Sequence, residues 1–398
     1  VIEDDRGKPE AGPWVIVADG IHYGGGMERA NAALAEYLIA IGVPVHLVSY
    51  RIEPSIAAHP MVTAHEVRMP AGSPMLGMWR LDRIGRRIAN AVKAREPDVR
   101  VVVNGSNCDS PDINWVHFVH HAWQARTDAA PLWYKAKART EHLINLRRER
   151  RILPRARILL ANSERTNNDL LTRLQVKRER THTVYLGTND DWRGITPSRR
   201  DAARARLGPL ANGPMVIFVG AMGYDLRKGF DTLWHAWQEL CANPEWDANL
   251  IVAGGGRRVE AWKQAVAHTG LDARVKIIGF THEVSELIAA ADLLVSPVRY
   301  EPYGLNVQEA LCFGVPAIVS ACAGVAEKYP SELKELLISD PDDAHALAAR
   351  MRSWRAQMDK FKCLTAPIVE QFRSYSWRDM AAQIVALAQA GAAPQTGN

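Results

Sequence analysis

The chain has 398 residues, 47% hydrophobic and 23% charged, with a net charge of +5. That is an ordinary globular balance, too long for a single core and naturally divided into two domains. No run approaches the roughly 20 apolar residues that cross a bilayer. The opening Val1–Glu10 is charged rather than signal-like, and the missing initiator methionine points to processing or trimming. Five cysteines, Cys108, Cys241, Cys312, Cys322 and Cys363, form no Cys-x-x-Cys pair and read as a reduced, cytoplasmic protein without structural zinc.

Along the chain, strands alternate with amphipathic helices, the pattern of parallel sheets covered on both faces. A strand at Trp14–Ala18 leads through the loop Gly24-Gly25-Gly26 into a helix reaching about Ile41. Further strands are predicted at Val45–Ser49, Val62–Met69, Val99–Val103, Trp115–Val119, Ile158–Ala161 and Thr183–Leu186. The glycine loop lets backbone amides approach a ligand without side-chain obstruction. A nicotinamide site would need Gly-x-Gly-x-x-Gly and an acid after the second strand, where the chain reads Val48-Ser49-Tyr50.

Three histidines, His117, His120 and His121, fall at the end of the predicted strand Trp115–Val119, where ligands gather in open parallel sheets. His-x-x-His-His on a strand splays its rings, so a metal triad is not expected; His117 reads as a buried imidazole and His121 as a supporting or surface residue. From Lys135 to Arg157 nine Lys or Arg stand against Glu141 and Glu149. That basic helix is either a solvated face or one attracted to an anionic membrane or a phosphate-bearing acceptor. No recognition helix, zinc finger or aromatic stacking motif accompanies it, so a nucleic-acid partner is not expected.

The stretch Asp190–Gly213, rich in Arg, Pro, Gly and Asn, reads as the interdomain linker. Beyond it a second series of strands is predicted at Met215–Val219, Asn249–Ala253, Val275–Ile278, Leu293–Ser296 and Ala317–Ser320. After the first of these, Arg227 and Lys228 stand just before a helix, where cations oppose the helix dipole; the mismatch makes sense if an anion lies between them. In Ser296–Ala310, Pro302 and Gly304 keep Glu301 in a loop, while Gln308 and Glu309 lie on the helix that follows. The amides of Gly304, Leu305 and Asn306 point out of its N-terminus, where phosphate or sugar oxygens are favoured. Glu309 is placed to accept ribose hydroxyls, and Glu301 to reach hydroxyls of a sugar. Asp340-Pro341-Asp342-Asp343 reads as an N-cap rather than a metal-binding Asp-x-Asp.

The segment from Ser296 through Glu301, Glu309 and Ala310-Leu311-Cys312-Phe313-Gly314-Val315-Pro316 resembles the Glu-x7-Glu signature of retaining glycosyltransferases of family 4, and earlier segments match in order over nearly the whole chain. The resemblance implies an α/β GT-B fold: two Rossmann-like doubly wound domains facing each other across a cleft. It places an acceptor-binding domain at 1–195, a nucleotide-sugar donor-binding domain at 196–375, and a C-terminal crossover helix at 376–398 that returns to the first domain, announced by Phe372-x-x-Tyr375-Ser376-Trp377. It implies transfer of a sugar from a UDP-, GDP-, ADP- or dTDP-sugar to an acceptor hydroxyl with retention, with no metal and no bound cofactor. The expected acceptor is a glycan, a lipid-linked intermediate or a small molecule, in glycoconjugate or surface-glycan synthesis.

The same resemblance implies catalytic roles for His120, Lys228 and Glu301. It implies donor contacts from Gly25, Gly26, Arg227, Lys228, Gly279, Phe280, Glu301, Tyr303, Gly304, Leu305, Asn306 and Glu309, with the loop Ala323–Glu327 nearby. The chain departs from the family at Ala221, where an Arg is usual, and Arg227 is the candidate replacement. Two alternatives stay open: a sugar-nucleotide-binding partner subunit of weak activity, and a GT-B-fold epimerase.

Overall fold

The computed structural model describes residues 12–390, apart from 128, 190, 191, 193 and 194. The charged opening Val1–Glu10 and the end of the expected crossover segment, 391–398, lie outside the described residues. Two compact units are present. Unit 1 comprises the chain up to Ala122, Arg139–Gly187 and the chain from Trp377; unit 2 comprises Trp123–Ala138 and Thr188–Ser376.

Unit 1 is built from β1 (Trp14–Val17), β2 (Gly20–Ile21), α1 (Gly26–Ala40), β3 (Val45–Ser49), β4 (Arg51–Ile52), α2 (Pro54–Ala57), β5 (Val62–Glu66), α3 (Pro74–Arg95), β6 (Arg100–Asn104), β7 (Ile113–Val116), α4 (Leu132–Ile152, its first residues assigned to unit 2), β8 (Ile158–Ala161), α5 (Glu164–Leu174) and β9 (Thr181–Thr183). Among the described residues its main sheet runs β5-β3-β1-β6-β7-β8-β9, all pairs parallel. β1 and β8 are continuous apolar runs, Trp-Val-Ile-Val and Ile-Leu-Leu-Ala, because helices cover both faces of the sheet. Strand order reverses between β1 and β6, which opens a crevice at their carboxyl ends.

Unit 2 follows with α6 (Pro197–Ala205), β10 (Met215–Val219), α7 (Phe230–Cys241), β11 (Asn249–Ala253), α8 (Val259–His268), β12 (Val275–Gly279), α9 (Val284–Ala290), β13 (Leu293–Ser296), α10 (Leu305–Cys312), β14 (Ala317–Ser320), β15 (Leu337–Ile338), α11 (Ala344–Ala356) and α12 (Met358–Arg373). Its parallel sheet runs β12-β11-β10-β13-β14-β15, with the reversal between β10 and β13. Phe218, Trp237 and Trp354 are among the large side chains filling its core. The last helix, α13 (Trp377–Ala390), belongs to unit 1 and lies against α1, with the Arg378 guanidinium 5.5 Å from the Tyr37 ring centroid.

Three expectations are corrected. The strand expected at Trp115–Val119 is Ile113–Val116. Its backbone leaves the sheet at His117, although apolar alternation continues through Val119, because Glu149 gathers the next turn. The strand expected at Thr183–Leu186 is Thr181–Thr183. The expected linker contains α6, capped by Thr196 and pinned by Arg199 to Glu286 and by Arg200 and Arg204 to Asp292, so it is an integral part of unit 2. Asp343 caps α11 by accepting the Ala346 N–H at 2.8 Å.

Candidate functional site

In unit 2 the loops after β10 and β13, neighbours across the strand reversal, converge. Lys228 Nζ donates to Glu301 Oε2, and Arg227 Nη1 reaches the same oxygen at 3.5 Å and the Tyr300 carbonyl at 3.2 Å. The approach is close enough to require glycine: at Gly229, with φ +71, a Cβ would stand 1.8 Å from the Pro297 carbonyl oxygen. Burial raises the Glu301 carboxyl, but Lys228 and then Arg227 outweigh it and hold it below the ordinary 4.5. The Lys228 side chain is 18% exposed and that of Glu301 14%, so Lys228 is a half-sheltered ion-pair member rather than a solvated surface lysine.

Gly304, at φ +113, caps α10, whose first turn is tied to β10 by Asn306 Nδ2 donating to the Val219 carbonyl at 3.0 Å. Leu305 opens the helix, half-buried. Glu309 is buried one turn further on and accepts from Ser285 Oγ of α9. Tyr303 turns inward: it is buried, its hydroxyl donates to Gln308, and it is the backbone amide that supports the Glu301 carboxylate. Its ring is therefore part of the packed interior, while its backbone lies beside Glu301. The loop Ala323–Glu327 is laced to the same backbone, Gly324 N–H donating to the Glu301 carbonyl at 3.0 Å and Val325 N–H to the Tyr303 carbonyl at 2.7 Å. Gly279 ends β12 at φ +85, and Phe280 beyond it is 70% exposed with its ring edge-on to His282. Ala221 is exposed at the head of the cation loop.

In unit 1, Gly25 caps α1 and Gly26 opens it. The Glu28 carboxylate folds back over this helix end, where a Cβ on Gly25 would lie 2.2 Å from Oε2. The chain's own carboxylate thus lies at the helix end where the resemblance implies donor contacts from Gly25 and Gly26. Beside it, burial and then Glu28 push the Asp19 carboxyl from 3.8 up to about 6, against a hydrogen bond from Asn107. His120 lies in a 3-10 turn, His120–Ala122, rather than on a strand. Glu149 of α4 accepts from the His120 N–H at 2.7 Å, the His121 N–H at 3.1 Å and His121 Nδ1 at 2.7 Å. Burial, then His142 and His121, lower His120 to about 4, which leaves its ring neutral at physiological pH. The buried His117 Nε2 has no hydrogen-bond partner. Among the described residues no group of three or more His, Cys, Asp or Glu could hold a metal ion.

Asp19, Ser285, Arg299, Glu149 (named in the sequence only as an acid within the basic run) and Gly254-Gly255-Gly256 support these sites without having been expected there. Only the last had a local signal: a glycine run directly after β11, where a Cβ on Gly254 would sit 1.9 Å from the Gly220 carbonyl oxygen.

Comparison with known proteins agrees with this architecture. The Glycosyltransferase Family 4 model matches residues 24–192 and the Glycosyl transferases group 1 model residues 213–356. Mannosylfructose-phosphate synthase of Agrobacterium fabrum is 27% identical over 226 residues, 54% of this chain and 48% of that protein, so the match spans about half its length. D-inositol 3-phosphate glycosyltransferase of Nocardioides sp. is 26% identical over 397 residues, 90% of this chain and 84% of that one. Sucrose-phosphate synthase from Thermosynechococcus elongatus superposes with a TM-score of 0.74 at 23% identity, covering 95% of this chain and 98% of that one. Anabaena HepE in complex with UDP-glucose gives 0.71 at 16% identity, covering 95% and 99%.

Two doubly wound parallel units, with the last helix returned to the first, define the GT-B class of glycosyltransferases. Within that class the chain belongs to glycosyltransferase family 4, group 1.

Proposed function

We propose that the chain transfers a sugar from a nucleoside diphosphate-sugar to an acceptor hydroxyl with retention of anomeric configuration and without a metal, in the synthesis of a surface glycan or other glycoconjugate. The observation that carries this reading is the meeting of Lys228, Arg227 and Glu301 at the strand reversal of unit 2, beside the N-terminus of α10. An ammonium has three N–H bonds, so Lys228 can hold Glu301 and still donate to a phosphate. The donor's diphosphate is assigned to Lys228, Arg227 and the amides of Gly304, Leu305 and Asn306; its ribose to Glu309; its sugar to Glu301; its base to the backbone of Gly279 and Phe280. As the bond to phosphate breaks, the leaving diphosphate gains charge that these fixed cations and amides stabilise. The acceptor is assigned to unit 1, whose crevice is framed by Gly25 and Gly26, and neutral His120 is assigned a hydrogen bond with a sugar hydroxyl.

The test is a thermal-shift and turnover screen with UDP, GDP, ADP and dTDP and their sugar conjugates. A bound nucleotide at about 100 times its dissociation constant should stabilise the protein by about 2.7 kcal/mol. A selective shift with turnover supports the reading. Binding without any turnover, with or without acceptors, favours a partner subunit and makes Ala221 the residue to restore to Arg, and no shift with any nucleotide rejects the donor site.

We also propose peripheral contact with an anionic membrane through α4 and the turn beyond it. No described helix is long and apolar enough to cross a membrane. Lys137, Arg139, Arg147, Arg150 and Arg151 are exposed there together with Leu132, Trp133 and Leu143, whereas Arg148 and Glu149 are buried and leave the basic face. Co-sedimentation with phosphatidylserine vesicles but not with phosphatidylcholine vesicles is expected, falling as salt is raised; equal recovery with both would refute it.

A further inference from the structure

The segment Trp123–Ala138 belongs to unit 2 although the chain on either side of it belongs to unit 1. Its contacts there fall on the site's two loops and their supports. The Trp123 ring stacks on Tyr300, centroids 6.2 Å apart and planes 12° from parallel; Tyr134 packs on Tyr224 at 5.0 Å; Arg126 Nη1 pairs with Asp342 Oδ2 at 2.6 Å. Tyr224 lies in the loop that carries Arg227 and Lys228, and Tyr300 precedes Glu301 and accepts from Arg227.

Asp342 is shared. Its other oxygen accepts from Arg299 Nε at 2.8 Å, and Arg299 forks onto Asp231 at 2.8 and 2.7 Å. Arg299 also donates from Nη1 to the Leu226 carbonyl and from its backbone N–H to the Arg227 carbonyl at 2.9 Å. Leu226 has φ +53, a left-handed conformation that a leucine holds only when its surroundings enforce it. Arg299 grips the carbonyl of that strained residue, and the next two residues in the chain are the site's cations. The Arg299 side chain is 6% exposed. Burial opposes its charge, yet its hydrogen bonds to Asp231 and Asp342 outweigh that and hold its pKa above the usual arginine value.

We propose that Arg299 is the positioning residue for Arg227, Lys228 and Glu301, and that Trp123–Ala138 is a clasp that orders these groups for the donor through Arg126, Asp342 and Arg299. This rests on the donor-site reading above. The Arg126–Asp342 pair is partly exposed and adds little to folding, but an added contact that exists only when the loops are ordered raises the fraction of molecules competent to bind. Donor affinity is where that fraction is read.

Arg126→Ala, Asp342→Asn and the double variant are made in the full chain. Dissociation constants for UDP, GDP, ADP and dTDP, donor KM and kcat, and hydrogen exchange at residues 220–229 and 297–304 are then measured. Each single variant should weaken the nucleotide that the parent binds, and raise donor KM, by about two- to fivefold, with faster exchange in both loops. The double variant should be no weaker than Asp342→Asn alone, because the two residues act in one chain of contacts. Arg299→Lys, which keeps the charge but loses the fork, should weaken binding further and make Arg126→Ala silent. Unchanged affinity and unchanged exchange in Arg126→Ala, or fully additive effects, would overturn the clasp. If the parent binds none of the four nucleotides, the donor reading fails separately; exchange then decides the clasp alone, faster exchange upholding it and unchanged exchange rejecting it.

Discussion

Lys228→Ala is expected to lower sugar-nucleotide turnover by about 100 to 1,000-fold, the usual result of removing one fixed donor from a developing charge. It is also expected to destabilise the protein. With Lys228 gone, Glu301 keeps the Tyr303 amide and Arg227 at 3.5 Å in a site where its side chain is 14% exposed. Breaking a fully buried pair costs about 3 to 5 kcal/mol, so with one cation left about 2 to 3 kcal/mol is the expected loss. The two effects separate in Lys228→Ala/Glu301→Gln. Neutralising the stranded carboxylate should return most of the stability while turnover stays low, since the phosphate still lacks its lysine.

A pH series supplies the second arm. Glu301 titrates below its ordinary value in the folded protein, so the stabilisation of its ionised form is fully present above about pH 4.5 and disappears as pH falls through the folded pKa. The Lys228→Ala variant should lose less stability than the parent over that acid range. Kinetics and denaturant melts check both points. Parent-level turnover at a temperature where the variant is folded would remove Lys228 from the chemistry.

The parallel strands of unit 2 were legible because a strand buried on both faces is a short unbroken apolar run with turn residues at its ends. Asn249–Ala253, Leu293–Ser296 and Ala317–Ser320 are found as expected. Ile113–Val116 was misplaced because its end is set not by residue type but by Glu149, 29 positions away from His120, whose amide it takes. α6 was hidden inside the expected linker for a similar reason: three arginines that look solvated in sequence are held by Glu286 and Asp292. Lys228, Glu301 and Glu309 stood out because local rules mark them, a cation pair at the wrong end of a helix and acids divided by Pro302 and Gly304. Arg299 carries no such mark, since Asp342 is 43 residues distant and only folding brings the pair together. The same holds for Tyr303, whose inward turn depends on Gln308 rather than on its neighbours in the loop.

Glu149→Ala should have the second large effect, and in unit 1. One carboxylate there accepts two successive backbone N–H groups and the His121 ring, and so makes the turn that presents His120. Its removal leaves these donors without their acceptor in a sheltered position, at about 1 to 3 kcal/mol for each buried donor left unsatisfied, so a loss of about 3 kcal/mol is expected. Glu149→Gln keeps one acceptor oxygen and should recover part of it. Turnover should fall by about 100-fold in the alanine variant, the size of effect that a displacement of about 1 Å produces at a reacting centre.

Nucleotide affinity should change little, because the side chains assigned to the nucleotide, those of Lys228, Arg227 and Glu309, lie in unit 2. That division between turnover and binding distinguishes loss of His120 placement from general damage, which would lower both together. The His120 ring is lowered to about 4, so it contributes no inflection near pH 6.5 to turnover in the parent. If Glu149→Ala lets the turn open to water, the ring loses the burial that suppresses its charge, and an inflection should move up toward the ordinary histidine value of 6.5. A variant that keeps parent-level turnover and a flat profile through that range would show that Glu149 does not position His120 for the reaction.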